Sequence, residues 1–328
     1  MKKFLKWVGI IFTSFAGIIL ITLAIIYFVS DARLKKIYHV PDDAVVIPTD
    51  EASIARGKHI FQFRGCEACH SGGGFVEVST EQANPLVHSN VSPQDIPRME
   101  GNIYLDNPAI GRVVASNLTP GLGGVGSKYS DADWIRVIRH GVRPDGTPLV
   151  FMPSTEFYYL SDEDLGDVIA YIKSALPVDH VLPPSSISLT GRVVMTLVPS
   201  ITFIPAELIP HNAPRPIAPA PGMTVQYGEY LTLSCKVCHG PTMSGGAIPG
   251  FPSSWPPVPN LTWGSGSVLP TWAEDGFIQT IRTGVTPQGV KINPSYMPWG
   301  SYKHMSDDEL RAVWMYLKSL PPKASGNR

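Results

Sequence analysis

What the sequence lacks narrows its function before any motif is read. It has no charge imbalance, with 26 Lys and Arg against 27 Asp and Glu. A chain so balanced offers no basic surface for nucleic acid and calls for no strongly charged partner. Beyond residue 30 it has no unbroken apolar run long enough to cross a bilayer. The best candidate, residues 189–204, is interrupted by Arg192 and Pro199, which excludes a second span. Cysteine is confined to four positions in 328 residues. No βαβ pattern surrounds them, so a thioredoxin-like dithiol is excluded.

Proline and glycine are abundant instead, 32 and 30 residues. Much of the chain is therefore loop and turn, as where backbone wraps a cofactor and not a long regular element. The length exceeds the ~100–200 residues of one typical domain, so two compact units are expected. At the N-terminus three lysines, Lys2, Lys3 and Lys6, precede an uncharged run from Trp7 to Ser30. At 1.5 Å per residue that run covers the ~30 Å hydrocarbon layer. It lacks the short apolar region and small-residue cleavage site of a secretory leader, so it is expected to remain as an anchor.

The four cysteines form two copies of one motif. Cys66 and Cys69 are followed by His70, and Cys235 and Cys238 by His239, so both read Cys-x-x-Cys-His. On a helical turn, residues three apart share a face, so two thiols reach the two vinyl groups on one porphyrin edge. The histidine then lies under the iron. A four-thiolate zinc ribbon would bring its pairs within ~15–20 residues and would leave the trailing histidines without a role. Disulfides leave them unexplained too. Two covalently attached c-type haems are the expectation.

Each motif heads a copy of a longer repeat. Arg56-Gly-Lys-His precedes the first and Tyr227-Gly-Glu-Tyr the second; Asn117-Leu-Thr recurs as Asn260-Leu-Thr. The segment from Trp134 to Val142 recurs from Phe277 to Val285, and Ser161–Ser174 recurs as Ser306–Ser319. Ser161 with Asp164 and Ser306 with Glu309 have the spacing of a helix cap and its partner. Ser130 and Thr271 are read as starts of the preceding helices, with Gly141 and Gly284 as their ends. The first copy carries 26 extra residues between its haem motif and its Asn-Leu-Thr, within about residues 71–116.

The distal ligand decides function, because an iron with two protein ligands carries electrons and one with an open position can react. Met152 and Met297 are the candidates. Each precedes a proline, lies in a loop between helices and stands nine residues before the serine that opens the last helix. A thioether is soft and raises the reduction potential. The other methionines, Met99 and Met243 among them, show no counterpart at the repeat offsets and read as core filler. His39, His59, His88, His140, His180, His211 and His304 likewise read as surface or hydrogen-bonded residues. Arg139 and Arg282 do correspond, either beside haem propionates or on a solvated helix face.

These residues resemble the cytochrome c superfamily. More closely, they resemble the multihaem cytochrome subunits of membrane-bound bacterial alcohol, gluconate and sugar dehydrogenases. The resemblance is carried by both Cys-x-x-Cys-His motifs, Asn117-Leu-Thr-Pro, Tyr129-Ser-Asp-Ala-Asp-Trp, Arg139-His-Gly-Val-Arg-Pro-Asp-Gly, Met152-Pro and Leu160-Ser-Asp-Glu-Asp-Leu. It covers about residues 50–322. It implies an all-α architecture: an N-terminal transmembrane helix (1–30), a class I cytochrome c domain (45–180), a Pro-rich connector (181–222) and a second such domain (223–322). One haem would be held by Cys66, Cys69, His70 and Met152, the other by Cys235, Cys238, His239 and Met297. Such subunits usually carry three haems, against two motifs here, and the anchor here is N-terminal. Because c-type haem is attached outside the cytoplasmic membrane, both domains would face the periplasm from a single pass of the inner membrane. The expected partners are the membrane, a dehydrogenase or quinol-oxidising donor and a periplasmic cytochrome or terminal oxidase. The alternative is a dihaem oxidoreductase, peroxidase-like or sulfur-compound oxidising, with one reactive haem. The connector is expected to pack between the domains or to rest on the membrane or a partner.

Overall fold

A computed structural model describes residues 2–71, 98–215, 217–249, 251, 254–294 and 296–327. Helix α1 (Lys2–Leu34) contains the apolar run and is long and apolar enough to cross a membrane. The first copy of the repeat comprises α2 (Glu51–Phe63), α3 (Cys66–His70), a hairpin of β1 (Asn102–Asn107) and β2 (Gly111–Ala115), then α4 (Asp131–His140), α5 (Ser154–Phe157) and α6 (Asp162–Lys173). The connector supplies β3 (Ser186–Ile187) and α7 (Leu189–Leu197). The second copy comprises α8 (Val225–Leu231), α9 (Cys235–His239), α10 (Glu274–Thr283), α11 (Trp299–Tyr302) and α12 (Asp307–Ser319).

In each copy the helix before the haem motif crosses the last helix at a glycine. A Cβ on Gly57 would lie 1.9 Å from the Asp167 carbonyl oxygen of α6, and one on Gly228 1.9 Å from that of Ala312 in α12. Only a residue without a side chain permits so close an approach. The helix ends follow local chemistry. Ser130 with Asp133, and Ser306 with Glu309, form reciprocal capping boxes, and α4 and α10 end on left-handed Gly141 and Gly284. Thr271 does not start α10: its hydroxyl donates to the Val268 carbonyl in the preceding turn, and the helix begins at Glu274 after Ala273.

The fold is helix-rich but not purely helical. β1 and β2 pair antiparallel, with an irregularity between Ile103 and Leu105, and β3 from the connector adds to β2. Backbone hydrogen bonds also show where the first copy is longer. Gly101 N donates to His70 O and Leu118 N to Met99 O, matched by Gly245 N to His239 O and Leu261 N to Met243 O. Met99 and Met243 are therefore counterparts, both buried and both in the left-handed region with φ 52° and 62°. Met99 follows His70 by 29 residues, whereas Met243 follows His239 by four. All but one of the 26 extra residues thus fall between His70 and Met99, almost wholly outside the described residues, as does His88. At an offset of 144 the methionine pair matches neither the 169 of the haem motifs nor the 143 that follows, which conceals it in the sequence.

The two copies share one hydrophobic core, running from Ile60, Phe61 and Trp134 in the first to Leu231, Phe277 and Trp314 in the second. Their junction has approximate two-fold logic. His59 on α2 donates its Nε2 hydrogen to Glu309 on α12 at 2.8 Å. Tyr230, which takes the place of His59 in the second copy, donates to Asp164 on α6, the counterpart of Glu309. A smaller core of Val142, Met195, Phe203, Ile204 and Ala206 seals the connector to the first copy.

Candidate haem sites

Each haem motif forms a single helical turn, α3 or α9, so its two cysteines project along one face. All four cysteines lie outside disulfides and are partly buried. Burial pushes the Cys66 and Cys69 thiols up to about 12 and Cys235 up to about 11. A redox-active or zinc-ligating cysteine needs a stabilised thiolate, and these surroundings do the opposite. Among the described residues no three His, Cys, Asp or Glu side chains converge as a metal cluster. The sulfurs suit covalent attachment as neutral thioethers.

The imidazoles are held alike. His70 Nδ1 lies 2.9 Å from the Ser116 carbonyl, and His239 Nδ1 2.9 Å from that of Pro259. A carbonyl only accepts, so Nδ1 carries the hydrogen and the Nε2 lone pair suits an iron. Burial also lowers the pKa of His70, keeping it neutral.

The repeated Asn-Leu-Thr explains how each carbonyl is placed. Asn117 Nδ2 donates to Val178 O at 2.8 Å while its Oδ1 accepts from Thr119 N; Asn260 does the same with Lys323 O at 2.8 Å and Thr262 N. The motif clamps the irregular segment that follows the last helix and fixes the residue just before it, Ser116 or Pro259, against the histidine. Its side chains bond to backbone groups.

Met152 and Met297 lie partly buried against the shared core, as do Cys66 and Cys235. Their turns match: Met152 O accepts from Ser154 N and Met297 O from Trp299 N, both at 2.8 Å, and the following prolines share φ −78° with ψ 52° and 55°. Trp134 Nε1 and Trp263 Nε1 are buried without a protein acceptor, donors that a haem carboxylate can satisfy. Arg139 is not on a solvated helix face. It is fully buried, pairing with Asp43 at 3.0 Å and Asp162 at 2.8 Å, whereas Arg282 pairs near the surface with Asp307 at 2.7 Å. Four of the histidines outside the motifs serve structure: His59 holds Glu309, His140 meets His211, and His180 bonds Glu100 O.

Sequence reasoning missed the junction between the two motifs. Arg64, two residues before Cys66, donates to Leu231 O and to Ser234 Oγ beside Cys235. Gly65 is left-handed, and a Cβ there would lie 3.3 Å from Ser301 Oγ. Glu156, on the turn after Met152, is pushed up to about 7 by burial, with Arg64 pulling it back. These residues have no common motif; only the fold brings the two first-cysteine edges together.

Two Cys-x-x-Cys-His turns, each with its imidazole fixed through Nδ1 and a methionine turn on the same core, define a two-domain c-type cytochrome. Comparison with known proteins agrees. Residues 54–176 match the family model for cytochrome c, and residues 227–317 that for cytochrome c oxidase, cbb3-type, subunit III. The chain contains two cytochrome c domains and binds c-type haem covalently. It is 28% identical over 299 residues to the cytochrome c subunit of alcohol dehydrogenase (quinone) from Gluconobacter oxydans, covering 84% of this chain and 56% of that protein. It is 24% identical over 302 residues to the fructose dehydrogenase cytochrome subunit of Gluconobacter japonicus, covering 88% and 57%. With the gluconate 2-dehydrogenase cytochrome c subunit of Pantoea cypripedii it shares 27% over 302 residues, covering 84% and 61%. The chain spans little more than half the length of these relatives.

Proposed function

We propose that this chain is a membrane-anchored dihaem electron carrier, passing electrons from a membrane dehydrogenase or quinol oxidiser to a periplasmic cytochrome or terminal oxidase. A bound c-type haem supplies reversible one-electron chemistry at its iron. Cys66 and Cys69 hold the first haem and Cys235 and Cys238 the second. His70 and His239 would hold the irons through Nε2 and Met152 and Met297 through sulfur, a ligand set that would supply electron transfer and not the binding of small molecules. The domains face the periplasm, where the thioethers form, and α1 confines them to the membrane plane. The relatives support the donor side of this reading, since each is named as a cytochrome subunit of a dehydrogenase.

The observation that carries it is the junction. Arg64 bridges from the approach to Cys66 to Ser234 beside Cys235, so the edges of the two sites meet inside the chain. A carrier with two centres needs such a contact; two independent reactive haems do not.

The test is to count haems in the purified full-length protein and to record the near-infrared sulfur-to-iron absorption of the oxidised form. Two haems per chain are expected, both low-spin. Met152→Ala and Met297→Ala should each abolish half of that absorption and leave one iron high-spin. A wild-type protein with one high-spin haem that binds cyanide rapidly would instead establish the enzymatic alternative.

A further inference from the structure

Helix α7 has no charged outward side. Its inward face, Gly191 and Met195, is buried, and its outward face, Leu189, Thr190, Val193 and Leu197, carries no charge. The one charged residue among residues 186–204, Arg192, turns inward. Its guanidinium sits 4.5 Å over the Tyr27 ring, donates to Ser30 Oγ at 3.0 Å and lies 3.5 Å from Asp31. A helix that turns its single charge inward and leaves Leu189, Val193 and Leu197 outward is not at rest in water.

Its neighbour explains the pattern. α7 packs on the last two turns of α1, where Ile26 and Ser30 are buried although most of the helix before them is exposed. Arg33 locks the contact by donating to Met195 O at 2.6 Å and pairing with Glu207 at 2.6 Å. If the uncharged run begins to cross at Trp7, the ~20 residues that span the hydrocarbon end near Ile26. Tyr27 then stands at the level where interfacial aromatic residues gather. The docked α7 is held at that same depth.

We infer that α7 and the following turn lie in the outer interface of the bilayer, with Leu189, Val193, Leu197 and Leu208 dipping into lipid. Leu197 and Leu208 are 63% and 61% exposed, as an apolar face that meets lipid requires. The occupant of this face is the lipid surface, because the outward face of α7 is continuous with the α1 span and carries no charge, and the nearby Glu207 is neutralised by Arg33. The first cytochrome domain is thereby fixed over the membrane and not tethered loosely above it: Phe203, beyond α7, packs on Phe151, the residue before Met152. This inference rests on the reading of α1 as a membrane span.

The test uses full-length holoprotein in phosphatidylcholine and phosphatidylglycerol vesicles containing a diazirine-tailed phosphatidylcholine, with adducts mapped by peptide mass spectrometry after illumination. Lipid adducts are expected on α1 and on peptides covering residues 189–199, and none above background on the peptide containing exposed Val290. In a Leu189→Glu, Leu197→Glu variant that retains both haem absorptions, the α7 adducts should disappear while those on α1 remain. Adducts on α1 without any on α7 in the wild type would overturn the docking and leave the span. Adducts on neither would overturn both.

Discussion

Phe151 and Tyr296 occupy the same place, each just ahead of the methionine in its turn, but their surroundings differ. Phe151 N donates to Phe203 O, and the two rings sit 4.7 Å apart, so the connector straps the Met152 turn from outside. Tyr296 is 41% exposed and leans on Trp255 in the neighbouring loop. The same contrast recurs at the paired arginines. Both bond the aspartate that opens their last helix, but Arg139 also meets Asp43 from the segment after the anchor, and Arg215 of the connector meets Asp43 in turn at 3.0 Å. The second domain shows the minimum that a haem turn, a clamp and two crossing helices require. The first is that minimum built into a platform by the anchor and connector.

The largest test of this contrast is to truncate the two arginines. Arg139→Ala leaves Asp162 and part of Asp43 without their buried cation, a loss of roughly 3–5 kcal/mol by the usual cost of breaking a buried pair. Arg282→Ala removes a partly exposed pair worth about 1 kcal/mol or less. Denaturant unfolding of the holoproteins measures both. Equal losses would mean that the Asp43 network adds nothing to the common framework.

Acid provides the next test, because His140 has Thr283 as its counterpart and this histidine acts in the first domain alone. Burial holds His140 down at about 4, the pull of Asp43 notwithstanding, against an ordinary value of 6.5. The unfolded chain therefore binds the proton more readily. Stability is full above pH 6.5 and declines as pH falls toward 4, by on the order of 3 kcal/mol for a shift of this size. His140→Gln should flatten that limb in unfolding measured across pH 7 to 4, and Thr283→Ala should leave it unchanged. An acid limb identical in wild type and His140→Gln would remove His140 from the account.

What could be read in the sequence was what lies close along it. The haem turns, the glycine helix ends, the serine caps and the repeat all depend on neighbours within a few residues. The three-stranded sheet was not legible, since β2 gains its edge from two connector residues more than 70 positions away. Nor was Arg139: its helix periodicity places it as readily in solvent as in a core, and only the return of Asp43 makes burial affordable. The Met99 and Met243 pair was hidden by the insertion, and Thr271 was misread because its hydroxyl had a nearer acceptor. At the junction, Arg64 and Glu156 acquire their meaning from the other domain, which no local pattern encodes.

The smallest effect concerns how readily each methionine turn opens. A turn held by a strap must break those contacts to let an external ligand reach the iron, whereas the turn at Tyr296 opens against fewer, so cyanide should bind the oxidised second haem faster. A Met297→His variant closes the second site and assigns the phases in stopped-flow absorbance. In that background Phe203→Ala should speed binding at the first haem about tenfold, equivalent to ~1.4 kcal/mol of lost closure. Tyr296→Ala in the otherwise wild-type chain should change the second phase little, because that ring closes nothing. If Phe203→Ala leaves the first phase untouched while the protein stays folded, the strap governs the position of the domain and not the access to its iron.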